Sequence, residues 1–319
     1  MSPSSNKGAA SSGGRPQDSW ASAFRFAASR AAGLSVGREH VSYVEIAKTA
    51  QKWVLRHVGE ARINGRLFAG AGETAASAAA LVPALTAAVG EQAPRFGPLH
   101  VSVPDAAVRV NLFELDAVPA SRAAQDAFVE FRMGRESGGA TKYRYVSQPL
   151  GRGNNGKPFL LGLALEERWY LAIEAALQEA GVRAWSLNAN GLRQFNLHHE
   201  KIRVRGGALV TLEPDTWSLL VWDAGGLLRY SRAQWRVDDL DAKEIAAEIE
   251  RSILGYVHGE SGRAVEQIWI CAGTGAAELS ELLNARASTP CQVLNTAAHL
   301  DTTQDVLRYE AALAAALQS

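Results

Sequence analysis

The side chains of this sequence that could do chemistry fall into a few clusters, and most are spaced against it. His198-His199-Glu200 offers metal-ligating groups, but adjacent histidines on a helix point about 100° apart. Neither HExxH spacing nor a third ligand group follows, so the trio reads as a solvated helix end rather than a metal site. Asp238, Asp239 and Asp241 directly precede the helical pattern AKEIAAEIERS; acids there cap free N–H groups and favour the helix dipole, a simpler role than holding a cation. Trp217, Trp222, Trp235 and Trp269 sit mostly at strand spacing and read as core or lobe interface, not as a platform for bases. Cys271 and Cys291 lie in apolar runs without CxxC spacing, which argues against a disulfide framework or a zinc site. Neither a G-x-S-x-G elbow nor a Ser-His-Asp order is present.

What remains are turns. LSVGREHVSYVEI, residues 34–46, reads as a strand, a tight turn at Gly37 and a second strand, with Arg38, Glu39 and His40 in the loop. GRGNNGK reads as a hairpin turn; it lacks the GK[ST] ending of a phosphate loop and no helix opens behind it. Gly273-Thr274-Gly275 follows the buried strand VEQIWICAG and, on its own, is a strand-to-helix turn that needs positive φ.

The elements that position these turns are read from periodicity. Residues 1–18 are Ser, Gly and Pro with little to bury and read as a disordered tail. Residues 19–33 place Trp20, Ala23, Phe24, Ala27 and Ala31 at helical spacing, an amphipathic helix that reads first as packed on its own domain or on a partner, since Arg25 and Arg30 point to different sides; Trp20, Phe24, Arg25 and Arg30 are the candidates for contact with a membrane surface. From Leu34 a three-strand meander follows (LSVGR, HVSYVEIAK, KWVLRHVGEARI), then an Ala-rich helix around Pro83, the strands PLHVSVP and AVRVNLFEL, and a helix around SRAAQDAFVEFRM. YRYVSQPL and PFLLGLAL flank the hairpin turn, and the helix EERWYLAIEAALQEAGV leads to the strand VRAWSL. The pattern then starts over with GALVTLEP, TWSLLVWD and LLRYSRAQW. A duplicated α/β architecture follows, not a single doubly wound sheet.

Composition bounds the function. At 319 residues the chain is long enough for two lobes with their own cores. Lys plus Arg and Asp plus Glu are 33 each, so no global field recruits nucleic acid or a membrane. No signal-peptide core and no apolar run of about 18 residues occurs, and a reducing, cytoplasmic compartment fits the cysteine usage.

With these segments in order, the sequence resembles the actin-like ATPase superfamily. LSVGREHVSYVEI, PLHVSVPDAAVRVNLFEL, ERWYLAIEAALQEAGVRAWSLN, AAEIERSILGY and IWICAGTGAAEL are similar, in pattern and order, to one branch: the type IV pilus assembly protein PilM family, related to the cytoplasmic part of type II secretion GspL proteins. The resemblance covers roughly residues 34–300. It implies a two-lobed actin-like fold, duplicated and ribonuclease H-like, with a first lobe over 34–187 that contains an inserted subdomain over about 98–185. The second lobe would be 188–319 with a C-terminal helix.

The family's nucleotide lies between two hairpin turns and needs an acid at each for Mg²⁺. By resemblance the contact positions are Ser35, Gly37, His40, Thr211, Gly273 and Gly275. Ser35 and Thr211 stand where the acids belong, Glu213 replaces a glycine and would repel phosphates, and Pro214 removes a donor; Asp215 supplies an acid only after a shift of register. The resemblance therefore implies a scaffold with a degenerate site for ATP and Mg²⁺. It would be cytoplasmic, at the inner face of the inner membrane, and would dock an N-terminal peptide of a PilN-like partner beside the inserted subdomain. An active ATPase of the same fold and a peripheral membrane protein anchored by residues 19–32 are the alternatives.

Overall fold

The computed structural model of the chain describes residues 30–49, 52–68, 77–90, 98–136, 141–152, 156–202, 206–214, 216–223, 226–234, 241–257, 265–271, 273–286, 288–302 and 306–318. Its first half runs β1 (Arg30–Val36), β2 (His40–Lys48), β3 (Trp53–Arg62), α1 (Ala78–Val89), β4 (Leu99–Val103), β5 (Val108–Glu114), α2 (Arg122–Glu136), β6 (Tyr143–Arg152), β7 (Pro158–Glu166), α3 (Glu167–Glu179) and β8 (Ala184–Ala189). The second runs α4 (Asn190–His198), β9 (Gly206–Glu213), β10 (Thr216–Asp223), β11 (Gly226–Gln234), α5 (Ala242–Tyr256), β12 (Gln267–Cys271), α6 (Ala276–Arg286), β13 (Cys291–Leu294), β14 (Leu300–Asp301) and α7 (Glu310–Leu317).

Two sheets repeat one design. The first has the order β14-β3-β2-β1-β4-β8 and the second β11-β10-β9-β12-β13. In each, an antiparallel meander is continued by parallel strands on the side of its first strand, so the repeat read from the sequence is present in three dimensions. β2 shows why such strands lack a polar face: Val41 and Tyr43 join one cluster of buried side chains, Val44 and Ile46 another. A strand covered on both faces reads as a nearly continuous apolar run.

Three expectations are corrected. Residues 30–33 are the start of β1, not the end of a helix; Arg30 pairs with Ala47, and its guanidinium lies 3.8 Å from Glu45. Alanines at helical spacing satisfy strand alternation equally well, and tertiary pairing decides between the two. The remainder of that expected helix, with Trp20, Phe24 and Arg25, and the tail 1–18 lie outside the described residues. The inserted unit is narrower than 98–185: β4 and β8 belong to the first main sheet, and the separate sheet is β5-β7-β6, packed on α2 through Phe113, Val129, Met133 and Leu160. Finally, the C-terminal helix lies on the first sheet rather than on the second lobe. Ala312, Leu313 and Ala316 of α7 pack with Ala31, Val44 and Ile46, and β14 pairs with β3. The approach is close enough that a Cβ on Gly33 would stand 1.8 Å from the carbonyl oxygen of Ala312.

Candidate functional site

The two hairpin tips occupy equivalent places in the repeat. Val36 pairs with Val41 ahead of the first tip, and Glu213 pairs with Thr216 at the second. Counting back from each tip sets Ser35 opposite Ser42 and Ser102, and Thr211 opposite Ser218, with its hydroxyl 3.8 Å from Cys271 Sγ. Small hydroxyls, not carboxylates, thus stand one residue before the end of β1 and two before the end of β9, where the resemblance expects acids.

The first tip is engaged by its own lobe. Gly37 N–H donates to the His40 carbonyl at 2.8 Å, Arg38 O accepts from Leu67 N–H at 2.8 Å, and Glu39 O accepts from Ile63 N–H at 2.6 Å. Glu39 also accepts from Arg66 Nε at 2.8 Å, with Arg62 at 3.7 Å. Gly37 and His40 are therefore brought together, and the loop residues Arg38 and Glu39 are committed to the segment that follows β3.

The second tip reaches across to the first lobe. Glu213 Oε2 accepts from the Asp105 N–H at 2.9 Å, and its Oε1 accepts from Asn190 Nδ2 at 3.2 Å. Asp105, in the short 3₁₀ turn after β4, is wholly buried. Its carboxyl accepts from Gly191 N–H at 2.8 Å and from the Ser218 hydroxyl, and its carbonyl accepts from Arg232 Nη1 at 2.5 Å. Burial pushes the Asp105 carboxyl above its ordinary range, against the pull of Ser218, Gly191 and Arg232. None of this was legible in the sequence, because Asp105 and Ser218 are 113 residues apart; the one local sign was a glycine in the second position of α4.

The third turn is open. Gly275 has φ +81° and accepts from Leu279 N–H at 3.0 Å as α6 begins, and among the described residues nothing lies within 4 Å of a Cβ placed on Gly273 or Gly275. The tryptophans are core, as their spacing implied: Trp217, Trp222 and Trp269 are buried, and Trp222 stacks on Trp269 at 5.5 Å. Trp235, Asp215, Asp238 and Asp239 lie outside the described residues. Asp241 caps α5 by accepting from Lys243 N–H at 2.8 Å. Both cysteines are free and buried. His198, in contrast, is no solvated helix end: the chain around Thr296 folds over it, its Nε2 lies 3.2 Å from Thr296 Oγ1, and burial pulls its pKa down to about 4.

These residues do not fit magnesium-bound phosphates. Hydroxyls stand at Ser35 and Thr211, the Glu213 carboxylate already takes up donors at the second tip, and Pro214 offers no N–H.

Two sheets of the same strand order, each with a hairpin joining the first two strands of its meander, form an actin-like ATPase fold. Among solved structures, the chain is similar to the "PilM-PilN type IV pilus biogenesis complex", with a TM-score of 0.69 and 14% identity over 90% of this chain and 96% of that chain. It is also similar to a Bacteroides thetaiotaomicron protein with an actin-like ATPase fold and unknown function, with a TM-score of 0.50 and 8% identity over 85% and 93% of the two chains. No family model matches the sequence, and no curated protein matches it.

Proposed function

We propose that the chain is a non-hydrolytic scaffold of a type IV pilus or related secretion platform, acting at the cytoplasmic face of the inner membrane and docking an N-terminal peptide of a PilN-like partner. The observation that carries this reading is the combination of a fold shared over 90% of the chain with the PilM-PilN structure and a second hairpin tip whose own carboxylate is bonded where an ATPase needs open donors. The first lobe offers surfaces suited to an extended peptide. β8 is the outermost strand of its sheet and carries Trp185, 77% exposed, while β5 and β6 are the outer strands of the inserted sheet. Such edges give main-chain hydrogen bonds, and an exposed aromatic gives a side-chain anchor. Isothermal titration with a synthetic peptide from the cytoplasmic N-terminus of a PilN-like protein tests the reading. Saturable binding that weakens in Trp185→Ala supports it, and no heat with the intact chain removes it.

A further inference from the structure

Asp105 is bonded by one residue from every strand of the second meander. Its N–H donates to Glu213 at the end of β9, its carboxyl accepts from Ser218 on β10, and its carbonyl accepts from Arg232 on β11. The same Arg232 nitrogen reaches the Val108 carbonyl at 2.6 Å, so the guanidinium spans both ends of the 3₁₀ turn. Glu213 in turn ties in Asn190, the first residue of α4, and Gly191 N–H closes the ring on Asp105. Around these bonds one apolar cluster runs through both sheets: Val103 and Val108 from the first half, Leu192 from α4, and Leu209, Leu220 and Trp222 from the second. Buried, water-poor surroundings strengthen such bonds and make a partly broken set costly, so the joint opens as a whole or not at all.

We propose that this joint is a clasp that holds the two lobes in one closed arrangement without a bound ligand, the Glu213 carboxylate supplying from within the chain the anion that bridges them. The clasp is independent of the partner: it describes the isolated chain. A frame fixed in this way presents its outer edges in one geometry whether or not small molecules are present.

Residue-resolved hydrogen exchange on the full chain tests it. In the wild type, the amides of Asp105 and Gly191 should exchange as slowly as those of Leu34 in the first sheet and Leu209 in the second. In Glu213→Ala they should exchange about ten- to a hundredfold faster, with Ile249, in the core of α5, unchanged; E213Q should fall between. Fast exchange at Asp105 and Gly191 in the wild type beside two protected sheets would overturn the clasp, because the lobes would then part on their own. Joint protection unchanged in Glu213→Ala, or acceleration spread equally to Ile249, would overturn it as well. Should the alanine variant not fold, the wild-type comparison and E213Q decide.

Discussion

Replacing Gly191 by alanine probes the buried joint through a single methyl group. A Cβ there would stand 2.5 Å from Asp105 Oδ2 and 2.8 Å from Ser218 Oγ. Neither neighbour can retreat, because both are fully buried. Relief requires parting Ser218 from Asp105 and lengthening the 2.8 Å bond from Gly191 N–H to Asp105. Each bond to a buried carboxyl is worth about 1–3 kcal/mol once its partner is left unpaired. In a helix, alanine itself is favoured over glycine by about 1 kcal/mol. The balance is a loss of about 2–4 kcal/mol, and its sign is diagnostic, since an unobstructed helical position would gain stability instead. Urea unfolding followed by tryptophan fluorescence measures it, with Trp222 and Trp269 in the shared core as reporters. An unchanged or raised midpoint at constant slope would refute the packing described for Asp105.

Three further outcomes follow from buried groups. Among the described residues nothing bonds Glu310 Oε2, and burial pushes the Glu310 carboxyl up to about 8 from an ordinary 4.5. The folded chain thus keeps a proton that the unfolded chain releases, so this group's share of stability declines as pH rises from about 4.5 to about 8. Glu310→Gln, neutral throughout, should remove a decline of several kcal/mol between those limits, read from urea midpoints; a parallel decline in the variant would assign the slope elsewhere. Gly33→Ala must push α7 away from β1, because the clash is with the backbone of Ala312. A loss of about 2–4 kcal/mol is expected by calorimetry, and a neutral result would mean that α7 is not seated there. Burial raises the pKa of both cysteine thiols, so Ellman's reagent should label neither thiol in the native chain and both in urea; fast native labelling would contradict their burial.

The repeat was legible because its strands carry the signal that sheets impose. HVSYVEIAK and TWSLLVWD are short runs rich in β-branched, aromatic and other apolar residues, and each follows a short turn. Alanine-rich segments carry no such signal: residues 30–33 fit helix or strand, and only pairing with β2 and cover from α7 settles the choice. The limits of the inserted sheet were obscured for a related reason. PLHVSVPDAAVRVNLFEL reads as one pair of strands, yet the 3₁₀ turn at Asp105–Ala107 sends β4 and β5 into different sheets. The chemistry at Glu213 was half visible. Its type argued against phosphate, but its partners Asp105 and Asn190 lie far away in the chain, and no local pattern predicts them.

The most direct test of a non-hydrolytic scaffold is calorimetric titration of the purified chain with Mg·ATP, followed by an assay for released phosphate. No saturable heat and no phosphate above the buffer blank are expected, because the positions that the resemblance assigns to nucleotide and metal carry the Glu213 carboxylate, bonded within the chain, and the hydroxyls of Ser35 and Thr211. Tight binding with steady turnover would contradict the account and make the protein an enzyme.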